Sequence, residues 1–426
     1  MDMKKTFTIL SLTVILLILA GSRAGSQPVQ KYDPSAYWVV YNTANSGMPG
    51  NYIHDIKLEY LDRELFATGN GLAVFDGSTW TVYNTSNSNI PSGLLRCLET
   101  EDNTIWWVGT VSGLGRFDGT TWTNYFTFNS GLPDPSIDDV TNDPGRDVKW
   151  IGTDNGLAKF DDVNWTVYDE SNTPLVSDWI RCVTLQGNIL WIGTEYGGMA
   201  RFDGSSGWTI FTTSTSDIPS NTVRSIAVDP ATGDIWAGTY YGGIGVFDGS
   251  NWTVYNKNNS GLPSNSIRRI AIDGNGTKWL ATGAGLVSFD GTTWTVYNTT
   301  NSGIPDNVLH CVMIDTADVW VGTDGEGAAV MKDAIVGTGR MTPVTCSVYP
   351  NPFSGYVVFE ILSSGNETAL LSLYDMNGKR VLRNEYPLNV NQSARLVVDG
   401  GDLCSGIYGY CLIYGNKTIT GKIIRR

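Results

Sequence analysis

Histidine and charge are both scarce in this 426-residue sequence. Two histidines, His54 and His310, are too few for a histidine-based metal centre. Charged residues make up 16% of the chain, below the roughly 25% of an average soluble protein, which argues against long surface helices and coiled coils. Cations are the scarcer kind: 28 Lys and Arg stand against 42 Asp and Glu, a net charge of −14. Such a chain should repel phosphate backbones and anionic lipid, so neither nucleic acid nor a membrane surface is an expected partner. Past residue 22 there is no apolar run long enough to span a membrane. No phosphate loop, CxxC pair or Ser-His-Asp set is present. What abounds is Gly (49), Tyr (20) and Trp (15), a composition of strands and turns.

The first residues read as a secretory signal peptide over residues 1–26. Lys4 and Lys5 precede an uncharged stretch from Thr6 to Ser22, which closes on the small residues Ala20, Gly21 and Ser22. An uncleaved anchor helix is the alternative. Ser22 stands where a lipoprotein would carry its cysteine, so no lipid is expected. Export places six cysteines in a compartment that permits disulfides. Cys97, Cys182 and Cys311 occupy one position in non-adjacent repeats and read as buried thiols. Cys346, Cys404 and Cys411 could supply one disulfide, its pairing left open.

A repeat dominates the middle of the chain. Trp-Ile-Gly-Thr at Trp150 recurs in variant form at Trp107, Trp191, Trp236, Trp279 and Trp320, with a degenerate copy at Phe66. Each is followed by Gly-Leu or an equivalent, then in most copies by Phe-Asp-Gly and Trp-Thr-Val-Tyr or close relatives, as in Phe75 to Tyr83. Turn-forming residues divide each unit into four short strands. Four strands in about 42 residues is the period of a propeller blade. The last unit lacks its fourth strand, while Trp38-Val39-Val40-Tyr41 supplies an unclaimed one near the start. An all-β, seven-bladed propeller over residues 32–333 follows, closed by pairing its two ends. The repeat, Trp-Ile-Gly-Thr-x-x-Gly-Leu-x-x-Phe-Asp-Gly with a preceding Leu-Pro-x-Asn-x-Ile, resembles the two-component regulator propeller repeat. That resemblance implies a sensor region of a hybrid kinase, but no kinase or membrane helix accompanies it here.

Residues 334–345 read as a linker, and 346–426 as a small β-sandwich. Tyr349-Pro-Asn-Pro-Phe353, Leu373-Tyr-Asp-Met-Asn-Gly-Lys379, Ser405-Gly-Ile-Tyr408 and the basic end Lys422 to Arg426 occur in order. Together they resemble the C-terminal sorting domain of the type IX secretion system. The resemblance implies handling by that machinery, with release or attachment at the outer surface.

Candidate chemistry lies off the repeat. The Asp of each Phe-Asp-Gly, as in Asp76 and Asp290, is a turn-former. Asp273-Gly-Asn-Gly reads as a hairpin rather than a calcium loop. The second residue of the first strand, however, is ionisable in all seven units: His54, Arg96, Asp138, Arg181, Arg224, Arg268 and His310. In a propeller these should ring the mouth of the central channel, where four arginines would favour a carboxylate or sulfate. Thirteen tryptophans hold repeat positions. Trp179 does not, and it joins Tyr196, Tyr240 and Tyr241 as aromatics expected on the same face beside Arg181 and Arg224. The expectation is a secreted binding protein for a glycan or other extracellular ligand such as a peptide, with no cofactor, metal or catalytic set. A polysaccharide lyase or hydrolase using Arg181, His54 and His310, and a soluble sensing partner of a two-component receptor, are the alternatives.

Overall fold

The computed structural model describes residues 37–59, 63–101, 105–315 and 318–332, and seven stretches of the tail: 347–349, 352–362, 367–375, 379–388, 393–401, 403–414 and 417–426. The expected signal peptide, the expected linker and Cys346 fall outside them. Residues 37–332 form seven four-stranded antiparallel sheets. Six are built from consecutive strands, as in blade four: Ile180–Gln186, Ile189–Thr194, Met199–Phe202 and Trp208–Phe211. The seventh takes three strands from residues 309–332 and its outermost from Tyr37–Tyr41, which pairs with Ala328–Lys332 from Trp38 opposite Met331 to Tyr41 opposite Ala328. The expected closure is therefore present.

The blades are welded by seven hydrophobic clusters, each shared by two neighbours, and the cluster joining blades seven and one completes the circle. Sequence explains the shape of each weld. The second-strand tryptophans are buried: Trp107, Trp150, Trp279 and Trp320 have no accessible surface. The fourth-strand tryptophans are half-buried, and in blades one to six each lies on the Phe that ends the third strand, with ring centroids 4.2 Å apart for Phe160–Trp165 and 4.0 Å for Phe289–Trp294. Such offset stacks add to the burial of large apolar area. Trp106, which abuts the repeat, is also core: it is buried and donates its indole N–H to Glu59 at 3.0 Å.

The Asp turns behave as turn chemistry dictates. Asp76 accepts from the Ser78 and Thr79 amides at 3.0 and 2.7 Å, and its bonds from Thr79 and Ser78 hold its carboxyl well below the usual range. Asp273 accepts from the Asn275 and Thr277 amides and the Trp279 indole, as a hairpin turn should. The tail forms two sheets, Ser347–Tyr349 with Tyr356–Leu362 and Ser393–Asp399, and a four-stranded sheet centred on Glu367–Tyr374 and Gly406–Tyr414. They share one core that includes Phe353, Phe359, Leu373 and Leu412.

Candidate functional site

The site begins with a repeated irregularity. In every blade the innermost strand skips one residue against its neighbour: Ile53 pairs with Thr68 and Asp55 with Ala67, Ile180 with Thr194 and Cys182 with Gly193, and likewise in the other five. The residue skipped is the ionisable one, His54, Arg96, Asp138, Arg181, Arg224, Arg268 or His310. A bulge re-aims the side chain it carries, and here all seven line a single cavity of about 400 Å³ at the channel mouth. The bulge also explains why apolar residues along this strand change parity.

The arginines are not a uniform positive ring. Asp138 accepts from Arg96 with one oxygen and from Arg181 with the other. Arg181 also donates its Nε–H to Glu195 at 2.7 Å, and Arg224 pairs with the same Glu195 oxygen at 2.9 Å. Asp154 lies 3.7 Å from Arg181. Charges thus alternate from blade two to blade five. The expected positive mouth is corrected on that side: Glu195, buried in the loop after the Trp191 strand, reaches back and neutralises two arginines at once.

The other side is different. The rings of His54 and His310 are 5.4 Å apart, and Tyr52 flanks both, at 5.8 and 6.0 Å. His310 Nε2 donates to Asp324 at 2.6 Å, which leaves the Nδ1 lone pair to accept from Arg268 Nη1 at 2.9 Å. His310 is therefore a neutral imidazole, and burial, with help from Arg268, keeps its pKa low against the opposing hydrogen bond to Asp324. Burial, His310 and Arg96 push His54 down to about 4. No carboxylate among the described residues pairs with Arg268.

The aromatics stand on the rim. In blades four, five and seven the loop between second and third strands is one residue longer than elsewhere. The conserved threonine hydroxyl of the loop reaches a carbonyl four residues on (Thr194 to Gly198, Thr239 to Gly243, Thr323 to Gly327) rather than three, as in Thr153 to Gly156. The extra length carries Glu195-Tyr196 and Tyr240-Tyr241. Gly198 is obligatory, with φ +83 and space for a Cβ only 2.1 Å from the Phe211 carbonyl oxygen. Tyr196 itself sits at φ 68 with 64% exposure, and Tyr241 is 61% exposed. Trp179 is half-buried, packed edge-on to Tyr196 at 6.4 Å and covered on one face by the Arg181 guanidinium at 4.0 Å. Tyr240 packs on Tyr241 at 4.7 Å, lies beneath Arg224 at 5.0 Å and alone of the four lines the cavity. The four aromatics are thus two pairs, joined through Arg181, Glu195 and Arg224.

Below the ring lies a second layer at the next strand position: Asp55, Cys97, Asp139, Cys182, Ser225, Arg269 and Cys311. The three cysteines are buried free thiols, as expected. Asp55, Asp139 and Ser225 accept amide hydrogen bonds from Leu98, Val183 and Ile270 of the next blade, at 2.8–3.0 Å. Arg269 lines both the mouth cavity and a smaller one of about 190 Å³ further along the channel. Burial opposes its charge, but Asp55 and Asp139 outweigh that effect. Arg269, Glu195, Asp324 and Tyr52 were not singled out from sequence. Arg269, Glu195 and Asp324 had a signal available, as charges at or beside a repeat position.

Residues 347–426 match the family described as the secretion system C-terminal sorting domain. The tail is handled by the type IX machinery, and the protein is secreted to the cell surface. No curated protein matches in sequence. Among solved structures, the chain is similar to the extracellular domain of the putative hybrid two-component system BT3049 of B. thetaiotaomicron, with 21% identity, a TM-score of 0.61, and 90% of this chain and 54% of that one covered. It is also similar to PorZ of Porphyromonas gingivalis, an essential surface component of the type IX secretion system, with 17% identity, a TM-score of 0.57, and 91% and 60% covered. Virginiamycin B lyase from Staphylococcus aureus aligns at 16% identity and a TM-score of 0.57, over 70% of this chain and 99% of the enzyme. The chain spans little more than half the length of the first two. At these identities the likeness is one of fold. Among the described residues, no helix is long and apolar enough to cross a membrane.

Proposed function

We propose that this secreted propeller is a surface binding protein that recognises an extracellular glycan at the channel mouth, through the aromatic rim of blades four and five. The carrying observation is the lengthened loop that holds Tyr196 exposed in a left-handed backbone conformation beside Trp179, with Tyr240 and Tyr241 on the matching loop of the next blade. Strain of order 1–3 kcal/mol persists where the surroundings over-determine it, and such positions cluster at ligand sites. Flat aromatic faces bordered by fixed polar groups suit sugar rings, whose C–H faces stack while hydroxyls take hydrogen bonds. Arg181, Glu195 and Arg224 supply those polar groups, already oriented by one another. A glycan array probed with the full chain, followed by calorimetry, tests the reading. Loss of binding in Tyr196→Ala and Tyr241→Ala with an unchanged fold is expected; retention of full affinity in both overturns it.

Proton-transfer chemistry at His54 and His310 is less well supported. Both ring nitrogens of His310 are engaged, and the neutral imidazole's lone pair faces a guanidinium rather than open space. A general base needs that lone pair free.

A further inference from the structure

We propose that Arg268, with the Nε edge of Arg224 beside it, forms a carboxylate-binding subsite on the blade-six side of the mouth. Four of the five arginines lining the cavity have a carboxylate partner: Arg96 and Arg181 on Asp138, Arg224 on Glu195, and Arg269 4.0 Å from Asp55. Arg268 instead spends Nη1 on the neutral His310. Its Nε is buried without a hydrogen-bond partner, and so is the Nε of Arg224 in the preceding blade. A buried guanidinium N–H left unmade costs on the order of 1–3 kcal/mol, so two on neighbouring strands facing one cavity call for an acceptor. The free Nε–Nη2 edge of Arg268 is the side-on fork that a planar carboxylate fills with two parallel hydrogen bonds.

The charge surrounding this edge is permissive. Asp324 lies behind His310, occupied by the imidazole N–H at 2.6 Å, and Tyr52 bonds to it as well. His54 is uncharged at neutral pH and adds no attraction for an anion, which leaves the Arg268 fork to supply it. The cavity, about 400 Å³, accommodates a sugar-sized group. A protein of net charge −14 would gain little from diffuse attraction of anions, so recognition here must come from this short-range fork. The subsite presupposes that the mouth is a ligand face, and it narrows the ligand there to one bearing a carboxylate, as a uronic acid residue does.

Calorimetric titration of the full chain with glucuronate, glucose and sulfate at low ionic strength tests it. Glucuronate should bind, glucose should not, and sulfate, which can meet the fork but carries no sugar ring to fill the cavity, should bind more weakly. Arg268→Gln should weaken glucuronate about tenfold or more, and Arg268→Lys, which keeps the charge but loses the fork, should fall between. Equal affinity for glucuronate in Arg268→Gln, or no binding by the parent chain, overturns the subsite. Sulfate binding as tightly as glucuronate overturns the carboxylate assignment. The rim reading fails separately: it falls if Tyr196→Ala and Tyr241→Ala keep full glycan affinity, whatever glucuronate does.

Discussion

His54 and His310 face each other across the seam between the first and last blades, their rings 5.4 Å apart, with Arg96 and Arg268 as the nearest cations. His310 opposes protonation of His54, and burial opposes that of both. His54 therefore takes up a proton at about pH 4 in the folded protein, against 6.5 for a free histidine.

That gap fixes a direction. Between pH 6.5 and 4 the unfolded chain binds the proton and the folded chain does not, so stability is whole above pH 6.5 and is lost as the pH falls toward 4. Tyr52, Asp324, Asp55, Arg96 and His310 surround the group, and burial lowers the pKa of His310 as well. Allowing for partial exposure, the loss from His54 is on the order of 1–2 kcal/mol. Urea midpoints measured across this range should fall with acid in the parent chain and fall less in His54→Gln.

Glu64 works in the opposite sense. It is buried on the second strand of blade one, with Oε2 lacking a partner, and burial pushes its pKa up to about 7, helped by Asp315. The folded state keeps the proton between pH 4.5 and 7 while the unfolded state releases it, so stability falls as the pH rises through that window. Glu64→Gln should raise stability at pH 8 by about 2 kcal/mol and change little at pH 4. Denaturation at the two pH values separates this from a uniform packing effect.

The thiols of the second layer sit over glycine. Cys97 pairs with Gly109, and a Cβ there would come 2.2 Å from the sulfur and 2.9 Å from Ile137 Cγ2. Gly109→Ala should cost about 1–3 kcal/mol by overpacking. Adding Cys97→Ala to it should restore part of that loss, which a double-mutant cycle by urea denaturation would read as coupling.

Ring closure rests on five residues. Removing Tyr37–Tyr41 would bare the edge of Ala328–Lys332, whose other partner strand is Asp318–Thr323. An unpaired edge recruits another chain, so light scattering of the shortened protein should show more self-association than the parent chain does.

Much of this was legible in the sequence because a repeat makes position equivalent to place. Comparing one position across seven units located His54 through His310 on one ring, and the orphan strand at Trp38 located the closure. The register bulge was not legible, since it is a backbone event with no residue signature. Nor was the neutralisation of the arginines. Glu195 is adjacent in sequence to Tyr196, yet its meeting with Arg181 and Arg224 depends on a loop one residue longer than its counterparts, folding inward across two blades. Trp179 was separable from the packing tryptophans by position, but its stacking on Arg181 was not.

Glu195 then offers the sharpest handle on the mouth. Its carboxylate holds Arg181 and Arg224 together, at 2.7 and 2.9 Å, and is buried. Glu195→Gln keeps the shape and one acceptor oxygen but removes the charge, leaving two guanidinium groups with one fewer anion between them. Burying uncompensated charge costs stability, so the melting temperature should fall. The same vacancy should draw in an external anion, so glucuronate affinity should rise several-fold, with a steeper dependence on salt than in the parent chain. Stability and anion affinity moving in opposite directions would show that the inner carboxylate and the ligand compete for Arg224, which the Glu195 cluster and the Arg268 subsite share. A fall in both would mean that Glu195 positions those arginines without competing for them.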